Sequence, residues 1–335
     1  MLEINDLSIS IGPHQIVSIE HLSIQAGQRL GLVGESGSGK TMTAMSIIGL
    51  LPHDAVVSGS IKISGVEMVN RSERELTEIR GSEVGVIFQD PLRALNPTMR
   101  VGKQVGEALR LHKTVPREDV KKRTVELFEQ VQLADDVNLI RRYPHQLSGG
   151  QRQRVLIAIA IASDPKLLIA DEPTTALDVT VQKEILELLQ RLSAERGMAV
   201  LFVSHDLGVI QAISDKIAVL YGGKLVEIGP AGLVIGSSRH RYTEALINVN
   251  PGHPEDIGAS LGEPLVTIKG SVPAQGGFLS GCRFRGRCPH ELDQCAADPP
   301  LTDVGSDHSF RCWNPTDLIA IRTANVAGLH GSDND

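Results

Sequence analysis

The eight residues GESGSGKT, Gly34–Thr41, follow the apolar run RLGLV and lead into TAMSIIGLL. A buried strand, a glycine-rich loop and a helix in that order are the context that a phosphate-binding loop requires. Glycines at 34, 37 and 39 let successive backbone N–H groups turn inward as a nest, which side chains there would obstruct. The N-terminus of the helix adds a favourable potential for phosphate. On this reading the loop residues Gly34, Glu35, Ser36, Gly37, Ser38 and Gly39 surround a nucleotide's phosphates. Lys40 reaches the β- and γ-phosphates, and the Thr41 hydroxyl coordinates Mg²⁺. The alternative is a glycine-rich strand–helix turn that holds no ligand.

The surrounding chain supports an α/β fold. VGVIF, KLLIA and AVLFVS read as further buried strands, and an amphipathic helix carrying Val181, Ile185, Leu188, Leu189 and Leu192 lies between the last two. KIAVLY and KLVEI flank Gly222–Gly223, a two-residue hairpin signal. The polar stretch from Leu92 to Tyr143 reads as the start of an inserted helical subdomain, about 92–160. After Pro230 glycine and proline become frequent, as in PGHPEDIG and SVPAQGG. We therefore expect one domain over 1–230 and a loop-rich second domain over 231–335, frayed after about Ala327.

Composition narrows the setting. With 41% hydrophobic residues the chain can bury a core, and 33 basic against 40 acidic side chains, net −7, argue against a nucleic-acid surface. The longest apolar run, Val155–Ala162, is too short to span a bilayer. MLEINDLSIS lacks the basic and apolar regions of an export signal, so a cytoplasmic location is expected.

LLIADEP supplies a second half for the nucleotide site. A parallel strand ending in Asp171 presents a carboxylate that can hold Mg²⁺, and Glu172 is the candidate to orient or deprotonate an attacking water. A polar turn after a strand is the plainer explanation if the motif is taken alone. LSGGQRQRV, Leu147–Val155, has no nucleophile or general base; alone it reads as a serine N-cap with a Gly–Gly turn.

Together, GESGSGKT, Gln89 in VIFQDP, LSGGQ, LLIADEP, the ALD of Ala176–Asp178 and His205 in VSHD resemble an ABC-type ATPase over roughly residues 1–230. The resemblance implies a P-loop NTPase fold of ABC type and a head-to-tail dimer, with ATP held between one chain's phosphate loop and its partner's LSGGQ. Ser148, Gly149, Gly150 and Gln151 would then be half of a site completed by a second ATPase subunit. Gln89 would sense Mg²⁺ and the attacking water, Asp178 would organise the dimer seam, and His205 would contact the γ-phosphate. The family's adenine-stacking aromatic has no counterpart: no Phe, Trp or Tyr precedes Phe88. Ile11 takes its approximate place, with His14 as a substitute, so modest discrimination between ATP and GTP is expected.

Phe88–Leu109, RRYPHQLSGGQRQRV and the cysteine-bearing end resemble the ATP-binding subunits of oligopeptide/dipeptide/nickel importers over about residues 1–315. Arg241 stands in the junction-like stretch SSRHRYTEALI where that family usually has proline. The resemblance implies a homo- or heteromeric pair of ATPase subunits at the cytoplasmic face of the membrane. Two membrane-spanning permease subunits and, indirectly, an extracellular solute-binding protein complete the expected assembly.

Cys282, Cys288, Cys295 and Cys312 give the spacing C-x5-C-x6-C-x16-C. Clustered thiols in a reducing compartment point to metal rather than disulfides. Four thiolates suit tetrahedral Zn²⁺ or a [4Fe–4S] cluster, and buried free thiols are the third alternative. The family resemblance favours the cluster. Two rival functions stand beside transport: a soluble ABC ATPase acting on nucleic acid or ribosomes, and a partner subunit that binds ATP but hydrolyses it poorly. The single ATPase domain, the absence of heptads and the acidic balance disfavour the first, and Glu172, His205 and LSGGQ disfavour the second.

Overall fold

The computed structural model describes residues 1–133, 138–175, 177–249, 267–274 and 276–316. Ala176, the PGHPEDIG stretch and the tail after Ala327 lie outside the described residues. The chain forms two compact units that interleave in sequence. Met1–Leu7, Glu20–Leu30 and Thr41–Val203 make the first; Ser8–Ile19, Gly31–Lys40 and the chain from Ser204 onward make the second.

In the first unit, strands Val84–Ile87, Leu167–Asp171 and Ala199–Ser204 run parallel, with Val84 opposite Leu167 and Leu167 opposite Ala199. Every residue of the latter two strands is buried, the pattern of parallel strands covered on both faces. Helix Val179–Arg196 buries Ile185, Leu188, Leu189 and Leu192 and ends at Gly197, whose φ of 60° is left-handed. Helices Val101–Leu111 and Val120–Gln130 pack on each other, and both pack on Gly149–Ala160. Arg154, buried in that last helix, donates to the Val131 carbonyl at 3.1 Å and pairs with Glu184 at 2.9 Å. The guanidinium thereby ties the end of the second helix to Val179–Arg196.

In the second unit, Lys216–Tyr221 and Lys224–Pro230 form an antiparallel hairpin. Its turn residues Gly222 and Gly223 have φ of 55° and 81°, which matches the twist of the flanking strands. Between 267 and 316 the regular structure of the described residues is a short 3-10 turn, Asp293–Ala296, and two two-residue strands, Thr302–Asp303 and Ser309–Phe310. The last of these adds to the hairpin, with Phe310 opposite Glu227 and Ser309 opposite Ile228.

Glu227 anchors this attachment. It is fully buried, and its carboxylate accepts from the Arg239 N–H at 2.7 Å, the His240 N–H at 2.9 Å and His308 Nε2 at 2.8 Å. A buried carboxylate is tolerated only when saturated in this way. The sequence reading names no strand before Arg29. Leu2–Ile11 and His14–Ile24 are nevertheless long strands, with Leu2, Ile4, Leu7 and Ile9 all buried.

Candidate functional site: a phosphate loop and a strand-end carboxylate cluster

The phosphate loop belongs to the second unit as far as Lys40. Gly34 is closely packed: a Cβ there would lie 2.2 Å from the Leu220 carbonyl oxygen, so no larger residue fits without moving the hairpin. The hairpin supports the loop again where the Gly223 N–H donates to the Ser38 carbonyl at 3.1 Å. Lys40 is 5% exposed, and its ammonium donates to the carbonyls of Gly34 at 2.7 Å and Glu35 at 3.0 Å. The cation is thus directed over the loop's own backbone, while Ser36 and Gly37 remain exposed.

Thr41, the next residue, belongs to the first unit and donates to Asp171 Oδ1 at 3.3 Å. Asp171 ends the buried strand Leu167–Asp171 and is itself 4% exposed. Glu172 then turns out of the strand with φ of 46°, a left-handed conformation that an L-residue adopts at a cost and that concentrates at functional sites. Its carboxylate oxygen Oε2 accepts from Gln89 Nε2 at 2.8 Å and from Thr175 Oγ1 at 2.9 Å. Both of these donors are neutral groups that meet the same carboxylate oxygen. Thr175 was missed in the sequence; its proximity three residues after Glu172 in DEPTT is the signal that could have revealed it.

Ser148 is the N-cap of Gly149–Ala160 through a reciprocal box. The Gln151 N–H donates to Ser148 Oγ at 3.2 Å, and the Ser148 N–H donates to Gln151 Oε1 at 3.1 Å. Ser148 and Gly149 are exposed. Gly150 is required by packing, since a Cβ there would lie 2.7 Å from Val181 Cγ1. Asp178 caps Val179–Arg196 by accepting from the Val181 N–H at 3.0 Å, and Val179 beside it is 83% exposed.

The ABC transporter family profile matches residues 17–175, and that of the oligopeptide/dipeptide transporter C-terminal region matches residues 226–295. The oligopeptide transport ATP-binding protein OppD of Salmonella typhimurium is 40% identical over 323 residues, covering 95% of this chain and 95% of its own. OppD of Escherichia coli is likewise 40% identical, over 95% of this chain and 94% of its own. The chain belongs to the ATP-binding subunits of the oligopeptide/dipeptide/nickel class of ABC transporters. A dimeric ATP-binding cassette bound to ADP and Pi superposes with a TM-score of 0.61 at 29% identity, covering 69% of this chain and 99% of that one. The fold of this ABC subunit is that of an ABC ATPase, and its activity is ATP hydrolysis. Among the described residues, no helix is long and apolar enough to cross a membrane.

In the second unit of this ABC subunit, His205 is exposed directly before Asp206, which caps Leu207–Ile213 by accepting from the Gly208 N–H at 2.8 Å. Ile11 is half-buried, and the exposed His14 ring lies against the backbone of Gly276, where a Cβ would fall 2.6 Å from its Cε1. The His14 ring is therefore met by the C-terminal region, which sequence order does not reveal.

The four cysteines carry no disulfide and line one cavity of about 10 Å³, together with Phe284, His290 and Trp313. Burial pushes the Cys282 and Cys288 thiols up to about 11, beyond what backbone N–H groups of Phe284 and His290 recover, and the neighbouring cysteines raise both further. Cys312 is raised by burial as well. The Leu292 N–H points at Cys295 Sγ, 3.4 Å away. Among the described residues, no three His, Cys, Asp or Glu side chains converge on one point as ligands of a single ion. Each sulfur also faces a backbone N–H, of Phe284, His290, Leu292 and Asn314 for Cys282, Cys288, Cys295 and Cys312, an arrangement that does not by itself select among a cluster, Zn²⁺ and free thiols.

Proposed function

We propose that this subunit hydrolyses ATP at the cytoplasmic face of a membrane to drive import of peptides or a related small solute through a permease. The observation that carries this reading is the double family match, an ABC transporter profile over 17–175 and an oligopeptide/dipeptide C-terminal profile over 226–295. The two OppD relatives, by name oligopeptide transport ATP-binding proteins, support it. The relatives' names do not favour the alternative of a role on nucleic acid or ribosomes.

Residue roles follow from the chemistry of each position. The backbone of Gly34–Gly39 and the Lys40 ammonium would bind the β- and γ-phosphates, while Thr41, Asp171 and Gln89 would hold Mg²⁺. Glu172, kept in place by Gln89 and Thr175, would align and deprotonate the attacking water. His205 would stabilise charge on the γ-phosphate. The exposed Ser148 and Gly149, with the half-buried Gly150 and Gln151, would complete the ATP site of a second ATPase subunit, and Asp178 would lie at that seam. Closure on ATP and opening after hydrolysis would then move two membrane-spanning permease subunits, to which a solute-binding protein delivers cargo.

Helices within about 92–160 would form the subdomain that meets the permease, and 1–230 and 231–335 would act as the two functional domains. Cys282, Cys288, Cys295 and Cys312 would hold a [4Fe–4S] cluster, with Zn²⁺ as the alternative. Bound there, a cluster would supply a covalent cross-link for a region poor in regular structure. Metal analysis of anaerobically purified protein tests this part, since stoichiometric zinc without iron would refute the cluster. The central test is ATP turnover by the subunit assembled with its permease in lipid. Peptide-stimulated hydrolysis that survives Glu172→Gln unchanged would overturn the assignment.

A further inference from the structure

Glu35, the second residue of the phosphate loop, is held at three points. Its N–H donates to the Tyr242 hydroxyl at 2.8 Å, its carbonyl accepts from Lys40, and its carboxylate receives both terminal nitrogens of Arg287, at 2.7 and 3.1 Å. Two of these three holds come from the C-terminal part of the chain, more than 200 positions away.

Arg287 is built for this contact. Its side chain is 7% exposed, and all five of its N–H donors have acceptors. Beyond the two bonds to Glu35, it donates to the Lys269 carbonyl at 2.8 Å, the Tyr221 hydroxyl at 3.0 Å and the Gly270 carbonyl at 3.2 Å. The guanidinium also lies over the rings of Tyr221 and Phe284, 5.7 and 5.9 Å from their centroids. Those rings pack on Tyr242, with centroids 4.5 and 5.3 Å away, so the aromatic block that orients Arg287 also orients the Tyr242 hydroxyl. A side chain committed in this way loses little entropy on gripping its partner, and a bidentate pair resists rotation as well as translation.

The backbone that carries Arg287 is a turn between cysteines. Both the Arg287 and the Cys288 N–H groups donate to the Phe284 carbonyl, at 3.2 and 3.1 Å. Arg287 is therefore the direct neighbour of one cavity-lining thiol and lies in the loop bounded by another, Cys282.

We propose that Arg287 is a positioning residue for the phosphate loop, and that through it the cysteine loop and the nucleotide are thermodynamically coupled. This rests on the reading of Gly34–Thr41 as the ATP phosphate site. The clamp fixes the orientation of the Glu35 peptide, and with it the first turn of the nest that the triphosphate enters. Linkage makes the coupling reciprocal: whatever orders the Cys282–Cys288 turn tightens nucleotide, and nucleotide orders the turn.

The test uses the intact chain and MgATP. Arg287→Met and Glu35→Gln each weaken MgATP affinity about tenfold, and the double variant is no weaker than the worse single, because both remove one interaction. Arg287→Lys, which keeps the charge without the fork, falls between. In the assembled transporter KM for ATP rises more than kcat falls. Backbone hydrogen exchange over 282–296 slows on adding MgATP in the native chain and loses that response in Arg287→Met and Glu35→Gln. Native affinity in both single variants, or effects that simply add, overturns the proposal; so does nucleotide-independent exchange in the native chain. If Arg287→Met does not fold, Glu35→Gln decides, since it leaves the remaining bonds of Arg287 in place. Lys40→Ala is the separate control: native MgATP affinity there would defeat the phosphate-site reading itself, whatever Arg287 does.

Discussion

The phosphate loop and the cysteine-bearing end achieve order in opposite ways. Gly34–Lys40 makes its internal contacts within a few residues, as in the bonds from Lys40 to the carbonyls of Gly34 and Glu35. The region after 267 has almost no regular structure among its described residues and is held by partners far off in the chain: Phe310 on Glu227, Arg287 on Glu35, His308 on Glu227. A segment of the first kind is legible wherever it occurs. One of the second kind has meaning only when its distant partners are known, and it is held by a handful of saturated charges together with buried rings such as Phe284 and Phe310.

The sharpest way to break the comparison is to remove one charged group from each side. Glu172→Gln lowers kcat for ATP about 10²–10⁴-fold with MgATP affinity retained, measured as steady-state turnover beside equilibrium binding. A loss of binding instead would move Glu172 from chemistry to architecture. Glu227→Ala strands two backbone N–H groups and His308, and it lowers stability by about 3 kcal/mol or more in urea unfolding. A native unfolding midpoint would show that the C-terminal attachment does not depend on this carboxylate.

Smaller effects sharpen the contrast. Gly150→Ala forces a Cβ onto Val181 Cγ1 and costs about 1–3 kcal/mol of stability. Thermal unfolding at native stability would mean the two helices part freely. His240, fully buried and accepting from the Tyr242 N–H, is pushed down to about 3 by burial. Folded, it stays neutral; unfolded, it gains a proton near pH 6.5. The unfolded state then binds more protons, so stability is complete above 6.5 and falls as pH drops from 6.5 toward 3. Between pH 6.5 and 5 the loss is about 2 kcal/mol, and His240→Asn flattens that slope; an unchanged slope assigns it to other groups. The smallest effect concerns the base: with Ile11 and His14 in place of an aromatic, ATP and GTP affinities differ by less than about tenfold. A strong preference for ATP would require a base contact from elsewhere, and the approach of Gly276 to His14 marks where to look.

The parallel strands Val84–Ile87, Leu167–Asp171 and Ala199–Ser204 were readable because burial on both faces demands unbroken apolar runs. The hairpin was readable because Gly222–Gly223 can adopt the two positive φ values its turn needs. Leu2–Ile11 and His14–Ile24 are hard to see in the sequence: the buried positions run Leu2, Ile4, then Leu7, Ile9, and Val17, Ile19, then Leu22, Ile24, so the two-residue period slips once in each strand. At the site, Lys40, Thr41, Asp171 and Glu172 were visible as motif positions. Thr175, Tyr242 and Arg287 were not, since a lone Thr, Tyr or Arg carries no pattern. Only its acceptor reveals its role.

Sequence alone determined the ABC family, the order of its nucleotide motifs and the four-thiol set, because each is a run of residue types whose local backbone chemistry permits little else. Tertiary structure decided that Glu172 is held by Gln89 and Thr175, that Ser148 and Asp178 cap their own helices, and that the phosphate loop is gripped by Arg287. The physical reason is range. A glycine nest or an N-cap is closed by bonds a few residues long, whereas a bidentate ion pair across 252 positions exists only once the chain has paid the entropy of bringing its ends together.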